Sequence, residues 1–84
     1  MNLQEQLAQL EEHVLELDML SDGRGRVIEF LGLCWNVRGL LRRIERADVP
    51  EHDQLNARAA ALVVSLAATK RRWLATAPPS LRAA

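Results

Sequence analysis

The sequence predicts an all-α fold, with three antiparallel helices that form a small up-down-up bundle or a long helical hairpin. Two observations lead to this class. The strong helix formers Ala, Leu, Arg, Glu and Gln dominate the 84 residues, with one Phe, no Tyr and four Gly. Apolar residues also recur every three or four positions, and the alternation typical of strands is absent. Because so short a chain builds only a small core, we expect oligomerisation to complete it.

The first helix is predicted at about residues 3–20. Asn2 and Glu5 have the spacing of a capping box, which places the helix start at Leu3. The helix is expected to end before Gly23, which would adopt the left-handed conformation at its C-terminus. Its apolar positions form a narrow stripe: Leu3, Leu7, Leu10, Val14 and Leu17.

The second helix is predicted at about residues 26–47, and it is apolar on more than one side. Gly32 and Gly39 lie two turns apart opposite its main stripe, where they either permit a close backbone approach or are mild helix defects. A helix with apolar residues on several sides is normally buried on several sides, so we expect it to be central. The predicted stripe is Val27, Phe30, Cys34, Val37, Leu41 and Ile44, with Ile28, Leu31, Leu33, Trp35 and Leu40 as additional apolar residues.

The third helix is predicted at about residues 49–75. Asp48 can cap it, Glu51 can complete a capping box, and Pro50 suits a first helical turn. The two prolines at 78 and 79 end helical structure, so residues 1–76 are expected to form one domain and 77–84 a mobile tail. The predicted stripe of this helix is Leu55, Ala59, Leu62, Leu66, Thr69 and Trp73.

The charges are divided along the chain. Residues 1–23 carry six carboxylates and no Lys or Arg, whereas the remainder carries all eleven basic residues and five acids. Folding the chain about its two turns predicts that Glu5 lies level with Arg42, and that Glu11 and Glu12 lie near Arg38. The same register brings the basic residues of the third helix to the end of the first helix that carries further acids. Those groups are Lys70, Arg71 and Arg72 on one side and Glu16, Asp18 and Asp22 on the other.

No residue pattern indicates catalysis, a cofactor or a metal, so we expect a protein that is not an enzyme. His13 and His52 have no further ligands at metal-binding spacing. Cys34 lies within an apolar stripe, where burial raises the pKa of a thiol and no base is within reach. The lone cysteine and the absence of a signal segment favour a cytoplasmic location. Charged residues interrupt the most apolar window, 27–41, so we expect no membrane association.

The apolar surplus of the second and third helices is the main functional indication. One interpretation is that the second helix lies between the other two and buries these residues there. The other is that they form an Arg-rimmed face for self-association or for binding another protein. The second interpretation predicts a protein-binding module: an adaptor, a co-chaperone or a small protein inhibitor. The residues predicted to bind the partner are Ile28, Leu31, Trp35, Arg38, Gly39, Arg42, Val63 and Trp73.

The alternative is a nucleic-acid-associated helper that uses two basic clusters. The net charge of zero and the pI near 6.7 argue against it, because nucleic-acid binders usually carry a positive surplus. The long helices also lack the pattern of a helix-turn-helix unit. The two clusters are Arg38, Arg42, Arg43 and Arg46 in the second helix, and Lys70, Arg71 and Arg72 in the third.

Overall fold

A computed structural model describes residues 2–76 as three α-helices in up-down-up order, and every pair of helices is in contact. Helix α1 spans Leu3–Asp18, α2 spans Val27–Arg46 and α3 spans His52–Thr76. The described residues contain no strand, so the predicted all-α bundle is confirmed. The tail predicted at 77–84 lies outside the described residues. No helix within 2–76 is both long enough and apolar enough to cross a membrane.

Helix α1 begins as the capping pattern predicts. The Glu5 backbone N–H donates to Asn2 Oδ1 over 2.8 Å, and Asn2 Nδ2 donates to Glu5 Oε1 over 3.1 Å. The predicted left-handed end at Gly23 is wrong, because the positive φ of +72° belongs to Gly25. Position 23 requires a glycine for a different reason. A Cβ built there would overlap the Trp73 ring, so α3 packs closely over this turn.

The core contains twelve apolar side chains, and the stripes predicted for α1 and α3 supply seven of them. On α1 the buried members are Leu7, Val14 and Leu17, while Leu3 and Leu10 are partly buried beside them. On α3 the predicted stripe is buried from its first residue to Thr69, and Trp73 is half-buried. The buried apolar set is Leu7, Val14, Leu17, Phe30, Leu33, Val37, Leu40, Ile44, Leu55, Ala59, Leu62 and Leu66.

The stripe predicted for α2 is partly wrong. Val27 is 62% exposed, and Cys34 is only half-buried, whereas Leu33 and Leu40 are fully buried. Apolar residues surround this helix, so periodicity alone does not select one face. Contact with α1 on one flank and α3 on the other centres the buried arc on Leu33, Leu40 and their neighbours. The central position predicted for α2 is wrong, because α1 and α3 also contact each other and the side of α2 that carries Ile28, Leu31 and Trp35 stays exposed. Contact with its two neighbours accounts for only part of its apolar surplus.

Helix α3 begins at His52, three residues later than predicted. Residues 50 and 51 form a turn, in which the His52 backbone N–H donates to the Val49 carbonyl over 3.1 Å. The first bond of the helix follows, from the Leu55 N–H to the Glu51 carbonyl over 2.9 Å. Pro50 therefore lies in the turn that precedes α3.

The acidic helix α1 pairs mainly with α3, not with α2. The Arg58 guanidinium donates two hydrogen bonds to the Glu11 carboxylate, over 2.5 and 3.2 Å. Glu11 and Glu12 were predicted to lie near Arg38, and for Glu11 this is wrong, because its carboxylate pairs with Arg58 of α3. Glu12 forms no ion pair within residues 2–76.

The predicted proximity of Arg72 to the acidic end of α1 is confirmed. Arg72 Nη1 donates to Asp18 Oδ1 over 2.9 Å, and the Thr69 hydroxyl donates to the same oxygen over 2.9 Å. These bonds lower the pKa of Asp18, with the Arg72 bond having the largest effect. On the other flank of α1, His13 Nε2 lies 2.8 Å from Glu29 Oε1 of α2. Charged contacts therefore attach α1 to both neighbours.

Candidate protein-binding site

An open apolar groove runs between α2 and α3, on the side of this hairpin that α1 does not cover. We call it the α2–α3 groove. Its floor contains Phe30, Cys34 and Leu66. Its walls are formed by Val27, Leu31, Trp35 and Arg38 on α2, and by Val63, Ala67, Lys70 and Leu74 on α3.

The antiparallel register of the two helices sets the length of the groove. Val27 and Leu74 line one end, and Arg38 and Val63 line the other. The eleven residue steps from Val27 to Arg38 rise by about 16 Å in an α-helix. The α2–α3 groove is therefore about three helical turns long.

The walls of the groove present large apolar side chains to solvent. Trp35 is 75% exposed and Leu31 is 60% exposed on α2, while Val63 and Leu74 on α3 are 40% and 48% exposed. Isolated exposed apolar residues are ordinary, but contiguous ones commonly mark binding sites. These side chains are contiguous along one concavity, which makes the groove the leading candidate for a docking site.

Most of the charged residues along the groove are cationic. The side chains of Arg24, Arg38 and Lys70 all line it, and none of them forms an ion pair within residues 2–76. Asp22 lies at one end, where its carboxylate accepts the backbone N–H of Arg24 over 3.0 Å. The groove thus combines apolar walls with free positive charge.

The residues predicted to bind a partner fall on more than one surface. Leu31, Trp35, Arg38 and Val63 come together in the α2–α3 groove. Gly39 lies in a separate groove between α1 and α2, which Trp35 also lines. Ile28 is 87% exposed, and neither it nor Arg42 lines the α2–α3 groove.

Two further predicted features have intrachain explanations. Trp73 packs on Phe30 with ring centroids 5.3 Å apart, and its Nε1 donates to the Leu20 carbonyl over 3.4 Å. Its ring therefore closes one end of the groove and is only partly free. Gly32 and Gly39 have nothing within 4 Å of a built Cβ, so the close approach considered for them does not occur within the described chain.

Cys34 is the thiol in the floor of the groove. Burial raises the pKa of the Cys34 thiol, and it outweighs the opposing effects of Arg38 and Lys70 nearby. A raised pKa disfavours the thiolate, which is the reactive form. Across residues 2–76, no group of three or more His, Cys, Asp or Glu side chains is arranged to hold a metal ion. The arrangement is suited to burying apolar surface.

No protein-family model, curated protein or solved structure matches this chain.

Proposed function

We propose that this chain is a non-enzymatic protein-interaction module that docks an α-helix of a partner in the α2–α3 groove. Adaptor, co-chaperone and small protein inhibitor are the roles consistent with such a module. The observation that carries the proposal is the uncovered apolar groove, in which Leu31, Trp35 and Val63 remain exposed after the chain has folded. Docking an amphipathic helix in an apolar groove is a recurrent mode of peptide recognition.

The dimensions and energetics of the groove suit a helix. A three-turn helix can place apolar side chains at three- and four-residue spacing along the whole groove. Fully burying one large apolar side chain contributes about 1.5–3 kcal/mol. The ordering and association costs of binding offset part of this gain. Four or five such contacts therefore suffice for a specific complex of moderate affinity.

Blocking the groove with a bulky side chain tests the proposal. Ala67 lines the groove, whereas the adjacent Ala68 is exposed and does not line it, so A67W and A68W form a matched pair. In affinity capture from the native host, the A67W variant should lose the partner that wild type and A68W both retain. Circular dichroism should show equal helix content in all three proteins. Equal capture by both variants would contradict docking in this groove.

A nucleic-acid-associated role is the second candidate, and the basic cluster of α2 favours it. Arg38, Arg42, Arg43 and Arg46 form no ion pair within the described part of the chain. The cluster on α3 is weaker support, because Arg72 is bonded to Asp18. Binding to phosphates should weaken steeply as salt increases, whereas apolar docking should change little. Titration of a DNA or RNA duplex at two salt concentrations therefore separates the two functions.

The proposed setting is the cytoplasm, for which the composition and the lone cysteine are the grounds. Self-association remains part of the proposal, since a second copy is one protein that can present a helix to the groove. Sedimentation velocity over a range of concentrations measures it directly. A protein that sediments as a monomer at every concentration would leave docking of a different protein as the remaining form of the proposal.

A further inference from the structure

We propose that the α2–α3 groove accepts an acidic amphipathic helix: one with an apolar stripe flanked by carboxylates and with few or no basic residues. This inference rests on the proposed function, since it names the chemical class of the partner that docks in the same groove. The main support is the chain's own helix α1, because it shows what kind of helix packs on the opposite side of the α2–α3 hairpin.

Helix α1 is itself an acidic amphipathic helix, packed against both α2 and α3. It has no Lys or Arg, and it buries Leu7, Val14 and Leu17 in the core. Two carboxylates on its α3-facing flank, Glu11 and Asp18, then accept hydrogen bonds from arginines of α3. One side of the hairpin therefore combines an apolar floor with a cationic border, and an acidic helix occupies it.

The open side of the hairpin repeats this combination without an occupant. Its walls are apolar, and its cations Arg24, Arg38 and Lys70 have no ion-pair partner among the described residues. The cations that α3 presents to α1, Arg58 and Arg72, both have such partners. On α3, the two sides therefore differ in whether their positive charge is paired, and an acidic helix would supply partners on the open side.

Lys70 disfavours a neutral or basic occupant. It lines the groove together with Leu31, so a helix that covers the apolar walls lies close to its side chain and displaces part of the water around it. Burying a charge without a partner is costly, and placing a second positive charge beside it is worse. We therefore expect the occupant to carry a carboxylate at the height of Lys70.

The register predicts where the carboxylates of the occupant lie. Leu31, which faces Lys70 across the groove, and Arg38 are seven residues apart on α2, so the two cationic heights are separated by about 10 Å. An occupant needs carboxylates about two turns apart to meet both. Glu11 and Asp18 of α1 have this same seven-residue separation.

The test uses the full-length protein with two designed peptides as probes. Both are 18-residue helices with the same leucine stripe, and their flanking positions are all Glu in one and all Lys in the other. Binding is followed by fluorescence anisotropy and by the rate of Cys34 alkylation, because the single thiol lies in the groove floor. The Glu peptide should bind at least about tenfold more tightly than the Lys peptide, and it should slow alkylation.

A charge-reversed variant makes the test specific to the groove. The double variant Arg38→Glu with Lys70→Glu should reverse the preference and favour the Lys peptide. Arg43→Glu with Arg46→Glu changes the net charge equally, but neither residue lines the α2–α3 groove, so it should keep the preference of wild type. None of these four side chains forms an ion pair within residues 2–76, so both variants should fold.

The alternative outcomes are distinguishable. Equal protection of Cys34 by both peptides would contradict the preference for an acidic helix. It would still support the proposed function, which is the docking of a helix in this groove. If neither peptide binds, the inference is overturned. Vesicles of anionic lipid serve as a further probe, and a protein that binds these vesicles but neither peptide would also overturn it. A wild-type dimer that excludes the Glu peptide, and that the Arg38→Glu, Lys70→Glu variant dissociates, would assign the groove to a second copy and overturn a foreign helix.

Discussion

At the scale of single residues, one contact explains why the turn between α1 and α2 has its particular sequence. Trp73 reaches from α3 across this turn, where its ring occupies the space that a Cβ on Gly23 would need. Arg72 also donates to the Leu20 carbonyl over 3.3 Å, so two consecutive α3 residues hold the same segment. Gly23 is therefore required for packing, whereas Gly25 is required for its backbone angle.

Replacing glycines by alanine should separate packing from helix propensity. Gly23→Ala should destabilise the fold by about 1–3 kcal/mol, because Trp73 must move to make room for the methyl group. Gly32→Ala should stabilise it by about 0.5–1 kcal/mol, since Gly32 is within α2 and has open space around it. Urea unfolding measures both. A Gly23→Ala protein as stable as wild type would show that Trp73 does not pack on this turn.

The bond between Asp18 and Arg72 should make stability depend on acid pH. The pKa of Asp18 is lowered in the fold, so its contribution is complete above the ordinary carboxyl pKa of about 3.9. This contribution is lost as the pH falls through the lowered folded-state pKa. Asp18→Asn keeps an oxygen for the Thr69 hydroxyl but removes the charge. The stability gap between wild type and this variant should close in strong acid, and a gap independent of pH would contradict the assignment.

At the scale of elements, sequence periodicity was sufficient for α1 and α3 but not for α2. Helices α1 and α3 each have one dominant apolar stripe, so their buried residues follow from spacing. Helix α2 has apolar residues around most of its circumference, so Leu33 was indistinguishable from Leu31 by pattern. Which of its residues are buried depends on the positions of α1 and α3, and the sequence of α2 alone does not contain this information. The predicted position of Glu11 near Arg38 is wrong for the same reason, because the partner of Glu11 depends on whether it faces α2 or α3.

Charge reversal at two adjacent acids should distinguish the observed helix arrangement from the one predicted by sequence. Glu11→Lys should cost about 0.5–1 kcal/mol, less at high salt, because it breaks a half-exposed pair with Arg58. Glu12→Lys should have almost no effect. Adding Arg58→Glu to Glu11→Lys should restore stability, as measured by thermal unfolding. Equal effects at Glu11 and Glu12 would contradict the orientation of α1.

At the scale of the whole molecule, the α2–α3 hairpin has two sides, one covered by α1 and one open. Sequence analysis found four residues of the open side, Leu31, Trp35, Arg38 and Val63, through the apolar surplus of these helices. It did not place Val27, Ala67 or Lys70 on this face. Val27 was assigned to the core, and the other two are recognised only when α3 is placed in antiparallel register beside α2. That register follows from the turn at residues 47–51. The sequence therefore contained the information needed to place these residues in the groove, but the register was used only for the charged residues.

Substitution of the two tryptophans should affect stability to very different extents, because Trp35 is exposed and Trp73 is packed against Phe30. Trp35→Glu should change stability by no more than about 0.5 kcal/mol, as expected of an exposed position. Trp73→Ala should cost several times more, about 2–4 kcal/mol, since it removes the ring packed on Phe30. Chemical denaturation measures both. Unfolding of the Trp35→Glu protein would place Trp35 in the core and remove one wall of the groove.

The central claim is that the α2–α3 groove docks a helix of a partner, and site-specific photo-crosslinking in the native host tests it most directly. A photoreactive phenylalanine analogue replaces Leu31 inside the groove or Val64, which is 67% exposed and does not line it. We expect the Leu31 position to give one discrete cross-linked protein, attached through a helical segment, and the Val64 position to give none. The same products from both positions, or none from Leu31, would contradict the account.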